Sequence, residues 1–143
     1  MNNNTTGTRD VPDGFEIVER KAPFTNINGP FYEKITDDGK LIRAFRVEER
    51  HLNSIRVVHG GMMMTFADAA LAASVRYETG RRCVTIKMNS EFLSPSREGD
   101  WVESSVEVIR STRTVVFVRG ELRARGKVLF KADAIFHYVH VGP

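Results

Sequence analysis

The chain has 143 residues, 41% of them hydrophobic and 27% charged, which is the size and composition of one globular domain able to bury a core. No apolar run reaches the roughly 18 residues of a membrane span, and the single cysteine, Cys83, excludes an internal disulfide and favours a cytoplasmic address. A formal charge of +3 admits an anionic partner but falls short of a nucleic-acid-binding signature.

Residues 1–14 are mostly Asn, Thr, Gly and Asp and read as a loose tail, without the basic start and apolar segment of a secretory signal. The folded domain is expected over 15–143. "GFEIVERKAPF" (14–24) has room for a short helix packed onto that domain. "FYEKITDDGKLIRAFRVEE" (31–49) reads as a hairpin, because two β-rich runs flank the turn residues Asp37, Asp38 and Gly39. "RHLNSIRVV" (50–58) is then a connecting loop.

A helix is expected from Gly60 or Gly61 to Glu78, stopped by Gly80. Four strand-like runs follow. In "CVTIKMNSEFL" (83–93) Val84, Ile86, Met88 and Phe92 alternate with polar neighbours. In "WVESSVEVI" (101–109) Val102, Val106 and Val108 alternate with Glu103, Ser105 and Glu107. "TVVFVRGELRARG" (114–126) sets Val116, Val118, Leu122 and Ala124 opposite Arg119, Glu121, Arg123 and Arg125. "KVLFKADAIFHYV" (127–139) alternates less cleanly, and Gly126 with Lys127 makes the turn before it. One sheet with an oily face needs a cover, and the only cover in this sequence is the long helix. That helix is apolar nearly all round, so either the sheet curls fully about it or a second subunit covers the rest.

Asp68 is the only ionisable residue between Gly61 and Val75. Burying an unpaired carboxylate costs several kcal/mol. Asp68 therefore takes hydrogen bonds from Thr65, Ser74 or the backbone, or faces water. Gly60 and Gly61 stand where the helix begins. A tight turn accounts for the pair, and so does close approach of another molecule to unpaired N–H groups at the positive end of a helix dipole. Such amides suit a carbonyl oxygen that gains negative charge during attack.

"HLNSIRVVHGGMMMTFADAA" (51–70) resembles the hotdog-fold acyl-CoA thioesterases, in the branch related to the phenylacetate-pathway thioesterase. That branch carries an Asn, a His-Gly-Gly six residues on and an acid nine residues after the His, matched here by Asn53, His59-Gly60-Gly61 and Asp68. The similarity extends through "MNSEFLSPSREGD" (88–100) and covers roughly residues 28–140. The resemblance implies an α+β hotdog fold, an antiparallel sheet wrapped around one long helix, and hydrolysis of an acyl-CoA or aryl-CoA thioester. By the same resemblance, the Gly60 N–H polarises the carbonyl, and Asp68 activates water or attacks directly to form an anhydride. Asn53 orients water or substrate, and Thr85 assists the acid. His59, at the loop–helix junction, has a positional role.

Gly61 shares the close approach at Gly60, while Met62, Met63 and Met64 pack around an acyl or pantetheine tunnel or belong to the core. Among the basic residues, Arg113 in the turn "RSTRT" is the first choice for gripping CoA phosphates. Cys83 has no His at partner spacing, and His51, His137 and His140 show no metal-ligand spacing, so neither metal nor cofactor is expected. No nucleic-acid or membrane partner is expected either.

Gly60 and Asp68 are eight residues apart, about 12 Å at ~1.5 Å per residue of helix. The backward lean of the Asp68 side chain recovers only a few Å. One helix hardly brings both to one substrate; two antiparallel helices from two subunits do. A homodimer follows, with pairing into a tetramer as the further expectation from the family. The competing readings are a non-catalytic acyl-CoA-binding module and a hotdog dehydratase. The dehydratase arrangement of His and acid is not found in this sequence.

Overall fold

The computed structural model describes residues 10–19 and 22–140; residues 1–9 of the expected tail lie outside them. Within the tail's last residues, the Asp10 carbonyl accepts a 2.6 Å hydrogen bond from Arg46 Nη2, and the next residue but four, Phe15, is buried against Trp101. The elements run β1 (Glu16–Ile17), α1 (Pro23–Asn28), β2 (Tyr32–Ile35), β3 (Leu41–Arg46), a 3-10 turn (Glu49–His51), α2 (Gly60–Thr79), β4 (Cys83–Phe92), β5 (Trp101–Ser111), β6 (Val115–Ala124) and β7 (Lys127–Tyr138). The short helix thus begins at the end of the stretch expected to hold it. Pro23 opens it, where a missing N–H costs nothing, and Glu16–Ile17 upstream pairs with β2 instead.

The strands form one antiparallel sheet in the order β1-β2-β3-β5-β6-β7-β4, and α2 packs across its inner face. This is the expected α+β hotdog architecture. Phe31, Phe45 and Phe66 tie strand to helix, with ring centroids 4.7 to 6.2 Å apart. Each of these rings is essentially inaccessible to water and contributes on the order of 2–3 kcal/mol by burial. The helix comes close enough to do this because position 120 lacks a side chain. A Cβ there would lie 2.9 Å from Leu71 Cδ2 and 3.1 Å from the Ser105 carbonyl.

The ends of α2 fall where the sequence places them, with Thr79 as its last residue. Gly80 takes the left-handed conformation at φ 71°, and its N–H bonds the Arg76 carbonyl at 2.8 Å. The hairpin between β6 and β7 turns on Arg125 and Gly126, both at positive φ, rather than on Gly126 and Lys127. Two successive left-handed residues match the twist of the flanking strands. β7 alternates more cleanly than its sequence suggests: Phe130, Ala132, Ala134, Phe136 and Tyr138 are all buried.

β4 departs most from the sequence reading. A bulge between Thr85 and Lys87 shifts its register against β7. Thr85 pairs with buried Phe136, and Met88 and Phe92 pair with buried Ala134 and Phe130, so these three face the helix. Val84 pairs with exposed His137 and faces outward. Val84, Ile86, Met88 and Phe92 therefore do not share one face, because the extra residue inverts the alternation.

Candidate active site

The site is built from the bottom of the loop upward. His51 is buried at the end of the 3-10 turn, where Nδ1 accepts from the Glu48 N–H at 3.0 Å and Nε2 donates to the Asn28 carbonyl at 2.7 Å. Burial pushes its pKa below the usual 6.5, against the raising effect of the Asn28 carbonyl. Its carbonyl accepts from the His59 N–H at 2.8 Å, so His51 anchors the loop, with its ring holding the start and its backbone holding the end. Asn53 fastens the middle. Its Oδ1 accepts from the N–H groups of Ile55 (3.1 Å) and Val57 (3.2 Å), and its own N–H bonds the Val57 carbonyl. The turn so closed holds Arg56 at φ 66°. Only the amide nitrogen of the Asn53 side chain remains for anything else.

His59 is the N-cap of α2. Its Nδ1 accepts from the Gly61 N–H at 2.8 Å, and its carbonyl accepts from Met62 (2.9 Å) and Met63 (3.2 Å). A helix start leaves several N–H groups without an intrahelical partner. Here His59 satisfies all but one, and among the described residues the Gly60 N–H has no acceptor. The expected pair of available amides thus narrows to one: Gly61 is occupied by the cap. Gly60 is also crowded. A Cβ there would sit 3.3 Å from Phe92 Cε1 and 3.5 Å from Cζ. Phe92 was legible in the sequence only as one more alternating apolar residue.

Two turns along, Asp68 is half-buried on the stripe of α2 that the sheet leaves uncovered, with Gly61, Met64, Thr65, Ala69, Ala72 and Arg76. Thr85 Oγ1 donates a hydrogen bond to Asp68 Oδ1; Oδ2 is left for another proton donor. The contact exists because the β4 bulge turns Thr85 inward. The partners anticipated from the sequence, Thr65 and Ser74, do not serve: Ser74 is buried with its hydroxyl unpaired among the described residues. Cys83 stands nearby, and burial, with a smaller push from the Asp68 carboxylate, raises its thiol above the usual 9.0. It is a poor nucleophile at neutral pH.

The structure therefore brings Asp68 to Thr85, and His59 to Gly60 and Gly61, but does not bring Gly60 to Asp68 within one chain. Met62 and Met63 are buried in the core; Met64 alone of the three is half-open on the stripe. A cavity of about 660 Å³ opens over Ala69, Ala72 and Ala73, with Arg76 and Arg82 along it, and does not reach Gly60. Arg113 lies farther off, in the β5–β6 turn past the C-terminal end of α2. Arg81 holds that turn by donating to the Thr112 and Arg113 carbonyls while stacking on Tyr138 at 3.4 Å. In one chain it is separated from Gly60 by the length of the helix, about 30 Å.

The sequence profile of the thioesterase superfamily matches residues 56–131, a span that contains Gly60, Asp68, Thr85 and Phe92. The chain belongs to the thioesterase superfamily. It is a thioesterase whose similarity to other members extends over nearly its whole length. It is 28% identical to the Pseudomonas aeruginosa protein PA0474 over 130 residues, covering 90% of this chain and 97% of that one. It is 26% identical to human acyl-coenzyme A thioesterase 13 over 141 residues, covering 96% and 99%. Among solved structures, the PaaI protein of the E. coli phenylacetic acid degradation operon superposes with a TM-score of 0.75 at 19% identity, covering 84% of this chain and 86% of that one.

Proposed function

We propose that this thioesterase hydrolyses acyl-CoA or aryl-CoA thioesters at a site shared by two protomers. One protomer supplies the Gly60 N–H, and its partner supplies Asp68. The observation that carries this reading is the division of labour on α2: one amide without an acceptor at its head, and a half-satisfied carboxylate about 12 Å further along. Superfamily membership and the likeness to human acyl-coenzyme A thioesterase 13 support the substrate class.

The chemistry follows from the two groups. The thioester carbonyl accepts from Gly60 N–H. Asp68 Oδ2 takes a proton from water as the oxygen attacks the carbonyl carbon, and the negative charge that develops on the carbonyl oxygen is held by the amide and the helix dipole. Collapse breaks the C–S bond. The departing CoA thiolate takes the proton back from Asp68, and the free acid leaves. Thr85 holds Oδ1 so that Oδ2 points to the water, and in this reading the Asn53 side-chain amide orients that water or the substrate. Direct attack by Asp68 uses the same atoms and forms an anhydride that water then cleaves.

The dimer is supported by what one chain leaves bare. Among the described residues, β4 lies at the end of the sheet with its second edge unpaired in a ten-residue strand, an arrangement that invites pairing with a second copy. Ile86 on that strand is 55% exposed, and the uncovered stripe of α2 lies beside it. A two-fold axis between β4 strands would run the two α2 helices antiparallel.

Complementation between inactive variants tests the shared site. Gly60→Pro deletes the N–H at a helix position where proline is tolerated, and His59 already has the extended backbone (φ −59°, ψ 134°) that a following proline requires. Asp68→Asn deletes the base. Each variant alone is expected to lose ~10²-fold or more in kcat. Refolded together in equal amounts, they should recover about a quarter of wild-type turnover, since half the dimers are mixed and each mixed dimer has one intact site. No recovery, with mixed dimers present, overturns the shared site.

A further inference from the structure

We infer that Phe92 is a positioning residue for the thioesterase reaction: its ring forms one wall of the slot at the Gly60 amide and keeps water off the carbonyl bound there. The inference rests on the reading of Gly60 as the carbonyl's hydrogen-bond donor.

Phe92 is the last residue of β4, directly opposite Phe130 of β7. The two rings meet edge to face, 5.1 Å apart at 79°. Phe130 is completely buried, whereas Phe92 is 55% exposed. One side of the Phe92 ring is therefore fixed by the core and another is bare. The bare ring is beside the head of α2, where its edge comes within 3.3 Å of the point that a side chain at position 60 would occupy. Two backbone ties hold it there. The Leu93 N–H bonds the Leu129 carbonyl at 2.9 Å, fixing the strand end. The Val58 N–H bonds the Ser96 carbonyl at 2.8 Å, fixing the chain after β4 against the residues that lead into α2. A ring this exposed contributes less to the core of its own protomer than its size allows.

The physical effect is on the strength of one hydrogen bond. An amide that faces open water gains little from a developing negative charge, because water solvates that charge equally well. An apolar wall on one flank lowers the local dielectric and excludes competing water. The gain is larger for the charged transition state than for the neutral ground-state carbonyl. Loss of the wall therefore falls on kcat more than on KM. The same contact makes glycine the easiest fit at position 60: a Cβ there would sit 3.3 Å from Phe92 Cε1, and the half-exposed ring would have to give by a few tenths of an ångström.

The test is a Phe92 series in the full chain, with acyl-CoA turnover and the Gly60 amide resonance read on the same samples. Phe92→Ala should lower kcat about tenfold, with KM within about twofold of wild type. Phe92→Tyr should keep most of the rate, and Phe92→Leu, which keeps bulk but not the flat ring, should fall between. The Gly60 N–H resonance should lose its ring-current shift in Phe92→Ala and Phe92→Leu and keep it in Phe92→Tyr. An unchanged kcat in Phe92→Ala, or a resonance indifferent to the ring, overturns the inference. A loss of rate that only tracks the fraction of folded protein, measured by thermal unfolding, overturns it too. These failures differ from failure of the underlying reading, which shows as wild-type turnover untouched by Asp68→Asn and Gly60→Pro.

Discussion

The head and the middle of α2 belong to one rod, yet they resolve their polar groups in opposite ways. At the head, backbone donors outnumber acceptors, and His59 satisfies them until only the Gly60 N–H is left. In the middle, the helix needs no help from side chains, yet Asp68 brings a carboxylate that Thr85 satisfies only at one oxygen. Each place ends with one unfilled valence, a donor in the first and an acceptor in the second. A carbonyl fits one and a water proton the other. Two turns of helix keep them from meeting within a chain, and under the proposed reading this makes association with a second copy part of the chemistry.

The contrast is open to several breaks, the largest at Asp68. Asp68→Asn should reduce kcat by ~10²-fold or more while the fold, with an isosteric side chain still accepting from Thr85, stays intact. Single-turnover hydrolysis in oxygen-18 water sharpens the role: label appearing in the Asp68 side chain marks direct attack, and label confined to the product acid marks general base catalysis. At Thr85 the effect should be smaller, about tenfold in kcat for Thr85→Val, with Thr85→Ser restoring most of it, because only the orientation of the acid is lost. If Thr85→Val matched Asp68→Asn, the hydroxyl would be reacting rather than orienting.

At the head the break is structural. His59→Ala removes the cap on Gly61 and should cost about 1 kcal/mol in denaturant unfolding. It also frees a second amide, so its effect on kcat should be less than that of Gly60→Pro. The smallest effect is expected from His51. Its pKa is lowered in the folded state by burial, so the unfolded chain takes up the proton first as pH falls. Its contribution to stability is therefore complete above the ordinary value of 6.5 and declines as pH drops below it. Thermal unfolding across that range should show the decline in wild type and a flatter profile in His51→Gln; equal slopes would remove His51 as the cause.

Much of this is legible in the sequence alone. Gly39 and Gly80 mark a turn and a helix stop because their backbones need positive φ. The Asn53, His59-Gly60-Gly61 and Asp68 spacing marks the thioesterase resemblance, and the fold and family agree with it. Asn53 is where resemblance and structure divide the residue between them, since its carbonyl oxygen is spent on closing its own loop. The short helix lies later than "GFEIVERKAPF" suggests, at Pro23–Asn28, because Glu16 and Ile17 pair with β2 instead.

The sequence by itself determined the local devices: where α2 starts and stops, where the chain turns between strands to within a residue, and which single acid interrupts an apolar helix. These depend on backbone conformation and on neighbours three or four residues away. The tertiary structure decided which faces meet. A bulge of one residue in β4 carries no compositional mark, yet it turns Thr85 toward Asp68. The ring of Phe92 reaches Gly60 only because a strand end and a helix head, more than thirty residues apart in the chain, are tied side by side. Contacts of that kind depend on register and packing across the sheet, which no local stretch of residues encodes.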